Sequence, residues 1–181
     1  MSMIDIKSPN TQRRSCGSCA LCCKLLGLVE NKLGQWCPHC LKSGGCSIYD
    51  SRPNICRAFN CVWLTDANFG DEWQPTRSKI VICHTLSGDT SHLVFHVDPG
   101  WPHSWRNEPY YSQLKRLARN GLEHNGIVTV SVAKRVFVIL PNKDVDFGVR
   151  SVDDKISIKK TWNGLDWEVD VDIVPHHAPA E

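Results

Sequence analysis

Nine of the ten cysteines fall between Cys16 and Cys61, and they open with the run Cys16-Gly-Ser-Cys19-Ala-Leu-Cys22-Cys23. Thiolates are soft metal ligands. Two-residue spacers let consecutive thiolates reach one ion at a metal–sulfur distance of about 2.3 Å while backbone amides donate to the sulfurs. The series continues through Cys37-Pro38-His39-Cys40, Cys46, Cys56 and Cys61. Cys19, Cys22 and Cys23 stand at i, i+3 and i+4, so a helix beginning near Gly17 would place them on one face. Adjacent side chains on a helix diverge by about 100°. Cys22 and Cys23 therefore serve different metals, or one of them lines the site without ligating.

After Cys16, Cys19, Cys22 and Cys23 come Cys37-Pro38-His39, Cys46-Ser47-Ile48-Tyr49, Arg52-Pro53, Cys56-Arg57 and Cys61. In that order, these residues resemble the cysteine-cluster family of zinc- or iron-chelating domains named for its CxxCxxCC signature, the YkgJ-like proteins. The resemblance covers roughly the first third of the chain. It implies metal chelation through Cys16, Cys19, Cys22, Cys23, Cys37, Cys46, Cys56 and Cys61, with zinc or iron as the metal. Some relatives are linked to flagellin lysine N-methylation. The sequence departs from the pattern at Cys40 and adds Cys83, so either could join the ligands, as could His39. Eight thiolates suit two tetrahedral zinc sites, a cluster with shared thiolates, or an iron–sulfur cluster beside a zinc. Cys16, Cys19 and Cys22 also match the first three ligands of a ferredoxin-type run. The Cys-Pro that closes such a run is missing after Cys23, which ranks iron–sulfur below mononuclear zinc or iron.

The chain of 181 residues is 41% hydrophobic and 22% charged, the composition of an ordinary globular protein. No apolar stretch reaches the length of a membrane span. The first residues, Met-Ser-Met-Ile-Asp-Ile-Lys-Ser-Pro, lack the apolar run of an export signal, and the expected location is the cytoplasm. Thiols stay reduced there, which favours metal binding over disulfides. The net charge of +2 hides an asymmetry. Lys7, Arg13, Arg14, Lys24, Lys32, Lys42, Arg52 and Arg57 outnumber Asp5, Glu30 and Asp50 in the cysteine-rich third. These cations are interleaved with the cysteines, where they offset thiolate charge, and they form no separate stripe for nucleic acid.

Those thiols need elements to hold them. Residues 1–15 read as a loose lead-in, 16–61 as the cysteine-cluster segment, 62–174 as an α+β segment packed with it, and 175–181 as a flexible tail. Within the second of these, 42–45 is a turn, and Ser51 caps a helix entered through Pro53. Strands are expected at 79–83 and 92–97 about a turn at 87–89, then a helix over 109–124 with Tyr110, Leu114, Leu117 and Ala118 on its apolar side. A hairpin follows at 127–132 and 136–140, with outer strands at 145–149, 155–158 and 167–173. The expected fold is thus α+β: a metal-stapled N-terminal segment on a small, mainly antiparallel sheet with one prominent helix.

Other residues read more plainly. His92 and His96 share a strand face and suit packing better than ligation. Cys83 and His84 point to opposite faces and make a poor nucleophilic pair. The aromatic, Pro-rigid stretch at 98–111 is either a binding surface or a lid over the sheet. The expected function is a cytoplasmic metal-binding protein that chelates zinc or iron through clustered thiolates. The alternative is an iron- or iron–sulfur-dependent enzyme using redox or group-transfer chemistry on a protein. The expected partners are a metal ion and a protein, without nucleic acid or membrane.

Overall fold

Alternation of apolar and polar residues organises the second half of the chain into a five-stranded sheet in the order β1-β2-β3-β4-β5. Its strands are β1 (Ile80–Ser87), β2 (Thr90–Val97), β3 (Gly126–Val132), β4 (Arg135–Ile139) and β5 (Asp144–Val149). The computed structural model describes residues 14–29, 33–41, 43–150, 154–164 and 167–174. The expected lead-in up to 13, Lys42 of the expected turn, and the tail with His176 and His177 lie outside these residues.

The sheet is mixed, with three antiparallel pairings and one parallel. β1–β2, β3–β4 and β4–β5 pair antiparallel, whereas β2 and β3 run parallel, with Phe95 beside Val130. A parallel pair needs a long crossover, and the helix between the two strands supplies it. That helix, α5 (Tyr110–Glu123), buries Leu114, Ala118 and Leu122. It packs on β3, and the same core holds Ile80, Ile82, Phe95, Val97, Val128 and Val130. Each of the two buried leucines contributes about 1.5–3 kcal/mol by leaving water. Trp73 fills the end of this layer, edge-on to Phe69 at 5.7 Å and to Tyr110 at 4.9 Å. Its indole N–H donates to Gln113 Oε1 at 2.6 Å, so the buried polar atom is satisfied.

The stretch at 98–111 divides between packing and exposure. Trp105 is buried, with its ring 5.2 Å from Phe137, while Trp101 remains exposed. Asp144 ties this region to β5, accepting from Lys115 at 2.6 Å, Tyr111 at 3.1 Å and Arg106 at 3.3 Å. The last two strands, β6 (Lys155–Trp162) and β7 (Trp167–Val174), form a separate antiparallel hairpin instead of extending the sheet.

The N-terminal third has little regular structure: α1 (Cys22–Leu25), α2 (Asn54–Ala58), α3 (Val62–Thr65), and a 3-10 turn at Tyr49–Ser51. α4 (Pro75–Ser78) then leads into β1. The helix expected from Gly17 begins only at Cys22, because a turn closed by Cys19 N–H on the Cys16 carbonyl (2.8 Å) precedes it. Ser51 does not cap α2. Pro53 occupies that position without a side-chain bond, and the Ser51 hydroxyl turns back to the Ile48 carbonyl.

The end of α5 approaches the start of β3 closely. A Cβ at Gly121 would lie 2.9 Å from the Gly126 carbonyl oxygen. Gly→Ala inside an exposed helix normally gains about 1 kcal/mol. Gly121→Ala should instead lower stability by about 1–3 kcal/mol through overpacking, measured by urea denaturation. A gain would contradict this packing.

Candidate functional site

Residues far apart in the chain wall a cavity of about 610 Å³ beside β1. Cys16, Cys19, Cys22, Cys23, Cys37, Cys46, Cys56 and Cys61 all line it. Cys40 and Cys83 do not appear in its wall. Every cysteine is a free thiol; Cys37 and Cys61 are buried, Cys16 is exposed, and the rest are intermediate.

Three kinds of contact place these loops. Leu21 and Leu25 join the core together with Cys61, Val62 and Trp63, so the segment's apolar anchors sit against the sheet. Lys24 reaches Asp98 at 2.6 Å, a pair whose side chains are only 19% and 8% exposed. Backbone bonds then fold the chain back on itself, with Gly34 N–H on the Lys24 carbonyl (2.9 Å) and Cys37 N–H on the Cys23 carbonyl (3.1 Å). Gly44 packs against Ser18. Its φ of +89° is left-handed, and a Cβ there would meet the Ser18 carbonyl oxygen at 2.6 Å.

Arg52 and Arg57 also line the cavity but touch carbonyls and rings. Arg52 stacks over Tyr49 at 3.9 Å, and Arg57 donates to the carbonyls of Arg52 (2.9 Å) and Asp50 (2.6 Å). His39 lines the wall, and its carbonyl accepts from Ser47 N–H and from the Ser47 hydroxyl.

Among the described residues, no group of three or more His, Cys, Asp or Glu is arranged to hold a metal ion. The thiols surround a space without converging on one point in it. This corrects the expectation of a metal-stapled segment, of zinc, iron or an iron–sulfur cluster as cofactor, and of a metal ion as partner. The metal-binding function and the iron-dependent enzyme fall with it. Two-residue spacers make convergence on one ion feasible, but a shared wall is a weaker condition than a shared centre.

The electrostatics single out one sulfur. Cys22 and Cys40 both donate S–H hydrogen bonds to Cys23, and the bond from Cys22 is the main reason that the Cys23 pKa is lowered to about 7. Donating that bond, with burial added, pushes the Cys22 thiol far up. Burial is also the first cause raising Cys16, Cys19, Cys56 and Cys61. Ionisation is thus favoured at Cys23 and opposed at Cys16, Cys19, Cys22, Cys56 and Cys61.

Cys40 also faces Cys46 across an isolated antiparallel bridge. The flanking bonds, Ser47 N–H to the His39 carbonyl and Leu41 N–H to the Gly45 carbonyl, make this a non-hydrogen-bonded pair. In that geometry the Cα atoms approach to about 4.5 Å, within the range a disulfide spans. The Cys83–His84 pair makes no site. Burial pushes the Cys83 thiol up to about 12, and His84 turns to Ser91 Oγ at 2.9 Å.

The chain matches no family model, no curated protein and no solved structure. The resemblance to the CxxCxxCC chelators is therefore corrected as well, since no ligand group in the described residues carries it. No helix among the described residues is long and apolar enough to cross a membrane.

A depressed thiol pKa means that, between about pH 7 and the ordinary thiol range near 8.5, the folded chain has lost a proton that the unfolded chain keeps. Stability therefore rises with pH across that window. Alkylation by iodoacetamide should label Cys23 first, with a rate that is half-maximal near pH 7. Cys22→Ala removes the main donor and should move that midpoint toward about 8.5. An unmoved midpoint would contradict the hydrogen bond's role.

Proposed function

We propose that the chain is a thiol–disulfide exchange protein that reduces disulfides presented by a protein. The observation that carries this reading is a cavity walled by eight free thiols, among which Cys23, beside Cys22 and Cys40, is the one whose pKa is lowered. A thiolate is the nucleophile in exchange, and the best attacking thiol has a pKa close to the ambient pH.

The step balances within the chain. Cys23 Sγ bonds to one sulfur of the substrate disulfide as that S–S bond breaks, and the departing sulfur takes a proton. The mixed disulfide removes the Cys23 charge. Cys40 is raised by burial first, then by nearby thiolates and by its own bond to Cys23, so capping Cys23 lowers the cost of ionising it. Cys40 then attacks Cys23 Sγ and expels the second substrate sulfur. Two electrons and two protons pass to the substrate, leaving a Cys23–Cys40 disulfide. The remaining cavity cysteines keep the wall soft and apolar.

Exposed Trp36, Leu41, Tyr49 and Ile55 support a protein substrate, because they cluster in sequence with the cavity residues and leave large apolar surface open. The division into a thiol segment over 16–61 and a supporting α+β segment over 62–174 belongs to this proposal. A cytoplasmic location does too, since free thiols suit a reducing compartment.

The reduced chain, in molar excess over native insulin, should open its two interchain disulfides, one per protein molecule, and release the B chain. Cys23→Ser should slow this by about a hundredfold or more, because a hydroxyl cannot replace the thiolate. Cys83→Ser, outside the cavity wall, should react at the parent rate. Equal rates for the parent and Cys23→Ser would overturn the proposal.

A further inference from the structure

The sheet face opposite α5 carries a second space, of about 890 Å³, between β2, β3 and the β6–β7 hairpin. Its size lies within the range of small-molecule sites. The register explains its lining. His96 pairs with Ser131, Val94 with Thr129 and His92 with Ile127, so these side chains share one face. Ile156 and Ile158 of β6 close it from the other side.

The two ends differ. At one end lie Lys134 and Arg150, joined by the Arg150 N–H on the Lys134 carbonyl at 2.8 Å. The Arg150 Nε is buried and has no hydrogen-bond partner. A buried guanidinium N–H without an acceptor is costly. The far end is occupied by Lys160, whose ammonium already donates to the Leu122 carbonyl at 2.7 Å. Along the wall, His92 is bonded to Thr129 Oγ1 at 2.9 Å. Burial lowers both histidines to about 4, so their rings are neutral near pH 7. Asp154 is the one carboxylate among the described lining residues, and it already has an interaction partner.

We infer that this cavity binds a small organic anion with an extended apolar body, its carboxylate taken by Arg150 and Lys134. The body lies along Val94, Ile127 and Ile158 toward His92. The four residue steps from His96 to His92 span about 13 Å, a length that suits a medium-chain carboxylate. A bidentate carboxylate is the acceptor that a guanidinium fork matches best.

The probe is decanoate, titrated into the full chain by calorimetry, with decan-1-ol as the uncharged match. Saturable one-to-one binding is expected, with His92 and His96 ring signals shifting in NMR spectra. Arg150→Gln should weaken binding about tenfold or more, and decan-1-ol should bind more weakly by a similar factor. Lys134→Gln, at an exposed turn, should weaken binding in the same direction and serves should Arg150→Gln not fold. The inference is overturned by three results: no saturable binding, equal affinity for the alcohol, or affinity unchanged in every variant that folds.

Discussion

The thiol segment has almost no regular structure of its own, so its shape depends on what it is fastened to. Its two short helices bury a single core residue between them, Leu25. The segment is held by a small apolar contact of Leu21, Leu25 and Cys61 with the sheet, and by Lys24 on Asp98. That ion pair is mostly removed from water and adjoins Cys23 in sequence. Losing one partner of a buried pair costs about 3–5 kcal/mol, and here the cost would fall on the backbone that presents the reactive sulfur. Asp98 in turn sits at the end of β2 and also accepts from Gly100 N–H at 2.9 Å. The sheet thus positions the thiols through that apolar contact and through Asp98 at the end of β2.

Given that anchoring, the chemistry follows from crowding. Burial raises most of the shifted thiols first. Thiols packed together raise one another further, because a second negative charge nearby is unfavourable. A sulfur escapes both effects only by collecting donors, and Cys23 has two, from Cys22 and Cys40. The burial and crowding that oppose ionisation at its neighbours therefore favour it at Cys23. Arginines at the cavity add positive potential without binding a sulfur directly, since Arg52 stacks on Tyr49 and Arg57 on carbonyls.

Much of the supporting fold was legible in local pattern. The turn about Gly88, the hairpin after Val132 and the helix from Tyr110 all follow from periodicity and turn chemistry. The parallel pairing of β2 and β3 was not, although a connection long enough to hold a 14-residue helix was its signal. The common cavity of the eight cysteines goes beyond any single spacing, and the metal-holding group inferred from those spacings is absent among the described residues. Cys40 was noticed only as a departure from a pattern. Its hydrogen bond to Cys23 depends on a loop closing back from Cys37, which no window of sequence displays. Arg150, unpaired under a hairpin that follows it, is equally invisible to local reading.

The most direct test is to map the bond that the protein itself forms. After one equivalent of oxidised glutathione and rapid acid quenching, peptide mass spectrometry should find Cys23 joined to Cys40, with Cys16, Cys19, Cys56 and Cys61 still free. An oxidised product in which Cys23 remains a free thiol, or in which the bridges are spread at random around the cavity, would contradict the account.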